Sequence, residues 1–399
     1  MHHTRGVAFT ATRMDAVQAP IVPIVGDLIG RFPGTISLGQ GIVHYGPPGQ
    51  AVAALQRVLH TNATNVHGYH DGAGIPPLVD VITRKLGDEN GLPVGRGSRV
   101  LVTAGANMAF MHAVMATTSP GDEVILPVPF YFNHEMAIDM AGCKAVRVAT
   151  DGRFWPRLDA IREAMTSRTR AVVTISPNNP TGAVYPGELL RAINTLCAER
   201  GVYHISDETY EYFTYGDARH VSPGSFPDAS GHTISLYSLS KAYGFAGWRI
   251  GYMTYPDALA SAMSKSQDTI LICPPIASQV AAAAAMEVGR SYAVPHIAEL
   301  AAIRELVVAK LSGLGAIADV PPADGALYVM LRLRSAADPM TIVERLIREH
   351  RVAVIPGTAF GLTDQCCFRV AYGALQRETV AEGVGRLVEG LKSILKPEA

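Results

Sequence analysis

The sequence predicts an α/β protein: a large domain with a mainly parallel mixed sheet flanked by helices, and a smaller α+β domain formed by the N- and C-terminal segments. Three observations predict it. From about residue 50 to 255, short β-rich runs alternate with helical patterns, which is how a mainly parallel sheet reads in sequence. The stretch 317–399 changes to a β-α-β-β-α pattern. The chain has 399 residues, 48% hydrophobic and 17% charged, enough for two or three domains with a large core.

The strands expected in the first region are 99–103, 123–127, 145–149, 171–175, 202–206, 233–238 and 249–255. Each is a short apolar run rich in β-formers. Segments between them, such as 107–117 and 186–200, look helical. One connection is too short for a parallel crossover. About ten residues separate 238 from 249, so the strand 249–255 should run antiparallel to its sequence neighbour. A long helical pattern over 280–313 carries the chain towards the last part. There a strand is expected near 326–333, a helix at 340–350, strands near 352–355 and 367–371, and a helix at 378–395. The Gly-rich segment 36–46 has no partner nearby in sequence and should pack there too. The division is therefore 46–295 for the large domain, with 1–45 and 296–399 in the small one.

Composition excludes several classes. The net charge is −1 and the basic residues are scattered, so no nucleic-acid footprint is expected. No uninterrupted apolar run is long enough to span a membrane, and the first residues, which include His2 and His3, lack the apolar core of a secretory signal. Five cysteines without a CxxC pair make neither a zinc site nor a disulfide framework, and adjacent Cys366 and Cys367 are expected to be reduced. A soluble cytoplasmic protein without a metal site is expected. No GxGxxG lies between a strand and a helix, which disfavours a nicotinamide dehydrogenase.

The chemistry concentrates after the predicted strands, where parallel sheets bind ligands. Lys241 follows the strand 233–238, beside the hydroxyls of Ser238 and Ser240 and close to Arg249. An amine there is unlike a solvated surface charge, and lysine forms Schiff bases when its pKa is lowered. Hydroxyls and a fixed cation make a phosphate pocket. Amine and pocket together are what pyridoxal 5′-phosphate requires.

Asp207 ends a strand that should be buried, and a protonated pyridine nitrogen would be its partner. An N-cap role suits it as well. Asn179, within Ser176–Gly182, is either turn chemistry or, with Tyr210, a donor to the ring's phenolic oxygen. Gly105 and Ala106 open a helix whose N-terminus attracts phosphate. Tyr131 is placed to lie against the ring, with Phe130 as a neighbouring rival and ordinary core as the plain alternative. Arg369, on an apolar strand, suits a substrate carboxylate or an internal salt bridge.

With those residues in hand, the chain resembles the class I/II aminotransferases of pyridoxal-phosphate fold type I, the aspartate aminotransferase superfamily, over roughly 30–395. Ser238 through Gly251 is similar to that family's lysine signature at every defined position. Asn179-Pro180-Thr181-Gly182, Asp207-Glu208-Thr209-Tyr210, Val354 to Gly361 and Phe368-Arg369 match further blocks. The resemblance implies transamination between an L-amino acid and a 2-oxo acid through a Schiff base on Lys241, with catalytic roles for Lys241, Asp207 and Tyr210. It implies a homodimer in which Tyr69, ahead of Gly74-Ile75-Pro76, contacts the cofactor phosphate of the neighbouring subunit. It places Gly41 and Asn179 beside the substrate.

Two departures bear on the substrate. Leu38-Gly39-Gln40-Gly41 is followed by Ile42-Val43-His44-Tyr45, without the family's usual proline and acid. His44 and Tyr45 thus become candidate specificity residues, although His44 equally suits a surface loop. Asn107 stands where one dicarboxylate-preferring subgroup carries lysine. The same scaffold also hosts C–S lyases, β-eliminating enzymes and cyclopropane-forming synthases, and non-catalytic cofactor-sensing regulators. The regulators need an added DNA-binding domain, for which 1–30 is too short.

Overall fold

The structure, a computed structural model, describes residues 12–395 apart from 62 and 64. His2, His3 and the first eleven residues of the segment assigned to the small domain lie outside the described residues. Seven strands form the large sheet: β1 Ser98–Thr103, β2 Glu123–Val128, β3 Lys144–Ala149, β4 Thr169–Ile175, β5 Tyr203–Asp207, β6 Thr233–Ser238 and β7 Gly251–Pro256. Their order across the sheet is β1-β7-β6-β5-β4-β2-β3. Val124, Ile125 and Leu126 in β2 are buried, as are Val172 and Val173 in β4. A strand apolar on both faces sits between helical layers.

β7 is antiparallel to both β1 and β6, while the other pairs are parallel. The short connection from β6 thus reverses the chain, as its length requires. The expected strand 249–255 begins two residues late. Arg249 has φ 55, a left-handed conformation that stops the strand before it starts.

The helices Ala106–Thr117 and Gly187–Arg200 lie where the pattern places them. The long pattern over 280–313 is two helices, Ile276–Val288 and Ala293–Ser312. They are separated by a tight turn at Gly289, whose φ of 71 ends the first helix.

The C-terminal part contains Tyr328–Leu333, Pro339–His350, Cys366–Ala371 and Arg377–Ile394. The helix Pro339–His350 starts where Asp338 accepts the Thr341 amide at 2.7 Å, an N-cap. It buries Ile342, Val343, Leu346 and Ile347, one helical stripe. The single strand expected near 352–355 is split. Ile355–Pro356 joins a four-stranded antiparallel sheet with Cys366–Ala371, Tyr328–Leu333 and Ala318–Asp319. Val352–Ala353 pairs instead with Ile36–Ser37 in a parallel ladder. Leu38 continues that contact, donating to Ala353 and accepting from the Ala371 amide at 2.7 Å. This brings the Gly-rich segment 39–41 over the open edge of the large sheet. Cys366 and Cys367 are buried free thiols on opposite faces of their strand.

Candidate active site

A cavity of about 240 Å³ opens at the carboxyl ends of the parallel strands. Ala106 and Asn107 follow β1, Tyr131 follows β2, Asn179 follows β4, Asp207 ends β5, and Ser238, Ser240 and Lys241 follow β6; all of them line it, with Gly41, Tyr210, Arg249 and Arg369. Because β7 is antiparallel, its beginning lies at this same edge, which is why Arg249 reaches the cavity.

The phosphate-sized corner is built by close approach. Gly105 caps Ala106–Thr117 with φ 85, and a side chain on it would run into the Arg249 guanidinium. Arg249 donates to the carbonyls of Ala104 at 3.1 Å and Ala246 at 2.9 Å. Ser238 caps the single turn Leu239–Ala242 by accepting from the Ser240 amide at 3.1 Å. Lys241 lies on that turn, inside the cavity, and donates its amine to the Gly41 carbonyl. Burial, then the charges of Arg369 and Arg249, bring its pKa down to about 8, with Asp207 opposing them. A substantial minority of the amine is thereby neutral at physiological pH, where an ordinary lysine is almost wholly charged.

Asp207 is 5% exposed. Burial works against its ionisation, yet His134 at 3.1 Å and the Thr209 amide at 3.0 Å hold the carboxyl below the ordinary range. The N-cap role is not realised, since no helix follows this strand; the carboxylate makes only a local turn with the Thr209 amide and lines the cavity. Tyr131, not Phe130, lines the space; Phe130 is buried behind it against Arg147. Burial raises the Tyr131 phenol to about 12, so it stays neutral.

Arg369 is 2% exposed and forms no ion pair among the described residues, which removes the internal salt bridge. Its guanidinium donates to Asn179 Oδ1 at 2.9 Å and to the Gly39 carbonyl at 2.8 Å, between the rings of Tyr328 and Phe360. Its Nε is buried without a partner. A buried cation with a spare donor is an anion site. The segment 39–41 thus joins the two cations, with Gly39 on Arg369 and Gly41 on Lys241.

Four expected residues do not line the cavity of this chain: Gly105, which caps the helix beside Arg249, and His44, Tyr45 and Tyr69. His44 turns away, 3.4 Å from Glu299 and 3.4 Å from the Gly373 carbonyl. Tyr45 stacks on His296 at 3.8 Å and donates to the Lys241 carbonyl at 2.9 Å. In this chain both are held by contacts to the helix Ala293–Ser312 and to the Gly373 and Lys241 carbonyls, outside the cavity lining. Tyr69 is 80% exposed, away from this cavity.

Sequence reasoning missed Val22, Gln40, Ile42, Phe132, Ile175, Thr209 and Tyr328 in the lining, and His134 behind Asp207. Thr209, Gln40 and Ile42 sit inside blocks already singled out, Ile175 ends an expected strand and Phe132 follows Tyr131. Nothing local signals Val22 or Tyr328, which reach the site through packing distant in sequence.

The site fits pyridoxal 5′-phosphate. Asp207 faces the space ionised, the hydroxyl–guanidinium corner opens at a helix N-terminus, and the lysine amine stands between them; together they define a fold type I cofactor site. The sequence profile described as aminotransferase class I and II matches residues 33–387. The chain is 32% identical to the aromatic aminotransferase ISS1 of Arabidopsis thaliana over 94% of each chain. It is 35% identical to a probable aspartate/prephenate aminotransferase of Aquifex aeolicus, covering 90% of this chain and 91% of that one. The solved Thermus thermophilus aspartate aminotransferase with maleate superposes with a TM-score of 0.88 at 31% identity, over 96% of this chain and 100% of the other. The chain belongs to the class I and II aminotransferases: it is a pyridoxal-phosphate-dependent transaminase with amino and 2-oxo acid substrates. No helix among the described residues is long and apolar enough to cross a membrane.

Proposed function

We propose that this aminotransferase acts on L-amino acids with apolar or aromatic side chains, exchanging their amino group with a 2-oxo acid. The carrying observation is the substrate wall. Val22, Ile42 and Phe132 line the cavity, and its only cations, among the described residues, are Lys241, Arg249 and Arg369. With Arg249 at the phosphate corner and Arg369 taking the α-carboxylate, no cation of this chain is left for a second carboxylate. The relatives include an aromatic aminotransferase, which fits this wall.

Pyridoxal 5′-phosphate, when bound, supplies a conjugated ring that accepts electrons as the Cα–H bond breaks. The chain's own residues do the rest. Arg369 fixes the substrate carboxylate through its planar fork. Lys241, whose lowered pKa leaves part of its amine neutral, takes the Cα proton and returns it one position along. Asp207, ionised and oriented by His134, keeps a proton on the pyridine nitrogen. Asn179 and Tyr210 donate to the phenolic oxygen, Tyr131 covers the ring, and Gly105, Ala106, Asn107, Ser238, Ser240 and Arg249 hold the phosphate corner.

We further propose a cytoplasmic homodimer in which Tyr69 completes the partner's phosphate corner, with residues 46–295 as its large domain and 1–45 with 296–399 as its small one. Its exposed ring supports the Tyr69 role, and five free cysteines fit a reducing compartment.

A panel of amino donors, paired with 2-oxoglutarate and pyruvate, tests the substrate class. Conversion of the cofactor absorbance to the aminated form should favour phenylalanine, tyrosine or leucine over aspartate by roughly tenfold or more. Aspartate as the best donor would overturn the assignment. Release of pyruvate from a β-substituted donor without the aminated form would point to elimination chemistry instead.

A further inference from the structure

We infer that Tyr328 is a positioning residue: it donates its hydroxyl hydrogen to Tyr210 and so sets how strongly Tyr210 donates into the cavity. This rests on the cofactor reading above. The two hydroxyl oxygens lie 2.5 Å apart, and both side chains are buried. Each phenol carries one hydrogen. One of the two lies between the oxygens, and the other is left for the cavity, which both residues line. Whichever phenol is the better acid donates to its neighbour.

Arg369 decides the direction. Its guanidinium carbon is 4.7 Å from the centroid of the Tyr328 ring, and a positive charge there favours negative charge on that oxygen. Burial raises both phenols. In Tyr328 the guanidinium is the first influence set against burial. Tyr210 is raised well above its ordinary value by burial and then by Tyr328 itself, and Arg369 acts on it only as the last and smallest influence. Tyr328 is thus the stronger acid of the pair and the donor. An oxygen that accepts a hydrogen bond becomes a better donor in turn, so the hydrogen kept by Tyr210 is strengthened where the cofactor's phenolic oxygen would lie.

The surroundings hold Tyr328 in this pose. Its hydroxyl occupies the space a side chain on Gly41 would need, only 2.5 Å away. A side chain on Gly182 would meet the Tyr328 carbonyl at 2.5 Å. Its strand is paired with Cys366–Ala371, setting Tyr328 opposite Ala371 and Met330 opposite Arg369. The arginine and the phenol it polarises are therefore carried by one two-stranded ladder.

The test is a spectrophotometric pH titration of the bound cofactor in the holoenzyme, comparing wild type, Tyr328→Phe, Tyr210→Phe and the double variant. Phenylalanine keeps the ring under Arg369. Tyr328→Phe should raise the apparent pKa of the chromophore by about half a unit. Tyr210→Phe should raise it further, and adding Tyr328→Phe to that background should add nothing. An unchanged or lowered pKa in Tyr328→Phe, or the same increment in both backgrounds, overturns the inference. Gly41→Ala, whose methyl displaces the Tyr328 hydroxyl, gives an independent route. Its chromophore should also titrate higher, and wild-type titration there counts against the role. A wild-type protein without any such chromophore would defeat the cofactor reading itself.

Discussion

The two walls of the cavity differ in how they are made. The cofactor wall consists of successive strand ends of one sheet, from Ala106 to Arg249. Each residue there is placed by the strand it adjoins, Arg249 by the start of antiparallel β7 and the others by the strand before them. The substrate wall gathers Val22, Gln40, Ile42, Tyr328 and Arg369 from parts of the chain that meet only through long-range packing, with Phe132 joining them from the helix after β2. Ile36–Ser37 must find Val352–Ala353, and Tyr328–Leu333 must find Cys366–Ala371. A wall built by local strand-to-loop geometry can keep its chemistry while a wall built by distant packing changes. The family's shared cofactor and varied substrate names are consistent with that asymmetry.

The comparison breaks most sharply at Lys241. Lys241→Ala should lower turnover by at least about 10⁴-fold while circular dichroism and chain association stay as in wild type. Borohydride reduction and peptide mapping should then find no phosphopyridoxyl label at position 241. Normal turnover would remove the cofactor wall from the account altogether.

The same lysine makes a stability prediction for the cofactor-free protein. Its pKa falls from 10.5 to about 8 on burial, so between those values the unfolded chain binds the extra proton. Stability should therefore rise with pH across about 8 to 10.5 and level off above, by on the order of 3 kcal/mol in all. Urea unfolding at several pH values measures the slope, and Lys241→Met should flatten it. An equal slope in that variant would assign the titration elsewhere.

Moving to the substrate wall, Arg369→Lys should raise KM for the amino donor by roughly tenfold to a hundredfold, since lysine lacks the planar fork. Cofactor affinity should change little. The opposite pattern would place Arg369 on the cofactor side. Phe132→Ala should lower kcat/KM for aromatic donors by about tenfold and for alanine much less. An equal loss for both would mean that this ring supports the fold, not the choice of substrate.

The smallest effect is expected behind both walls. Tyr45→Phe removes the hydrogen bond to the Lys241 carbonyl and leaves the stacking on His296. It should cost about 1 kcal/mol in unfolding free energy and leave the ranking of amino donors unchanged. A changed ranking would return Tyr45 to the substrate side.

Much of the cofactor wall was legible because its signals are local. Ser238-Leu239-Ser240-Lys241 follows an apolar run, and a strand followed by a short turn leaves few ways to aim the lysine. The antiparallel β7 was readable from loop length alone. The splitting of 352–356 was not, since Val352–Ala353 and Ile355–Pro356 differ only in which distant strand each one finds. His134 was missed for the same reason: its bond to Asp207 spans two strands of the sheet and 73 positions of sequence, as 207 − 134 gives. The positions of His44 and Tyr45 were not legible because a loop's sequence does not say which helix will hold it, and here Ala293–Ser312 does.

The sequence by itself determined the alternating sheet, the lysine and the acid at its strand ends, and an arginine awaiting an anion, because strand periodicity and turn chemistry act over a few residues. Only the tertiary structure decided that Gly39 and Gly41 bridge Arg369 to Lys241, that Tyr328 meets Tyr210, and that Val22, Ile42 and Phe132 line the same cavity. Those contacts depend on packing free energy summed over segments hundreds of residues apart, which no local pattern encodes.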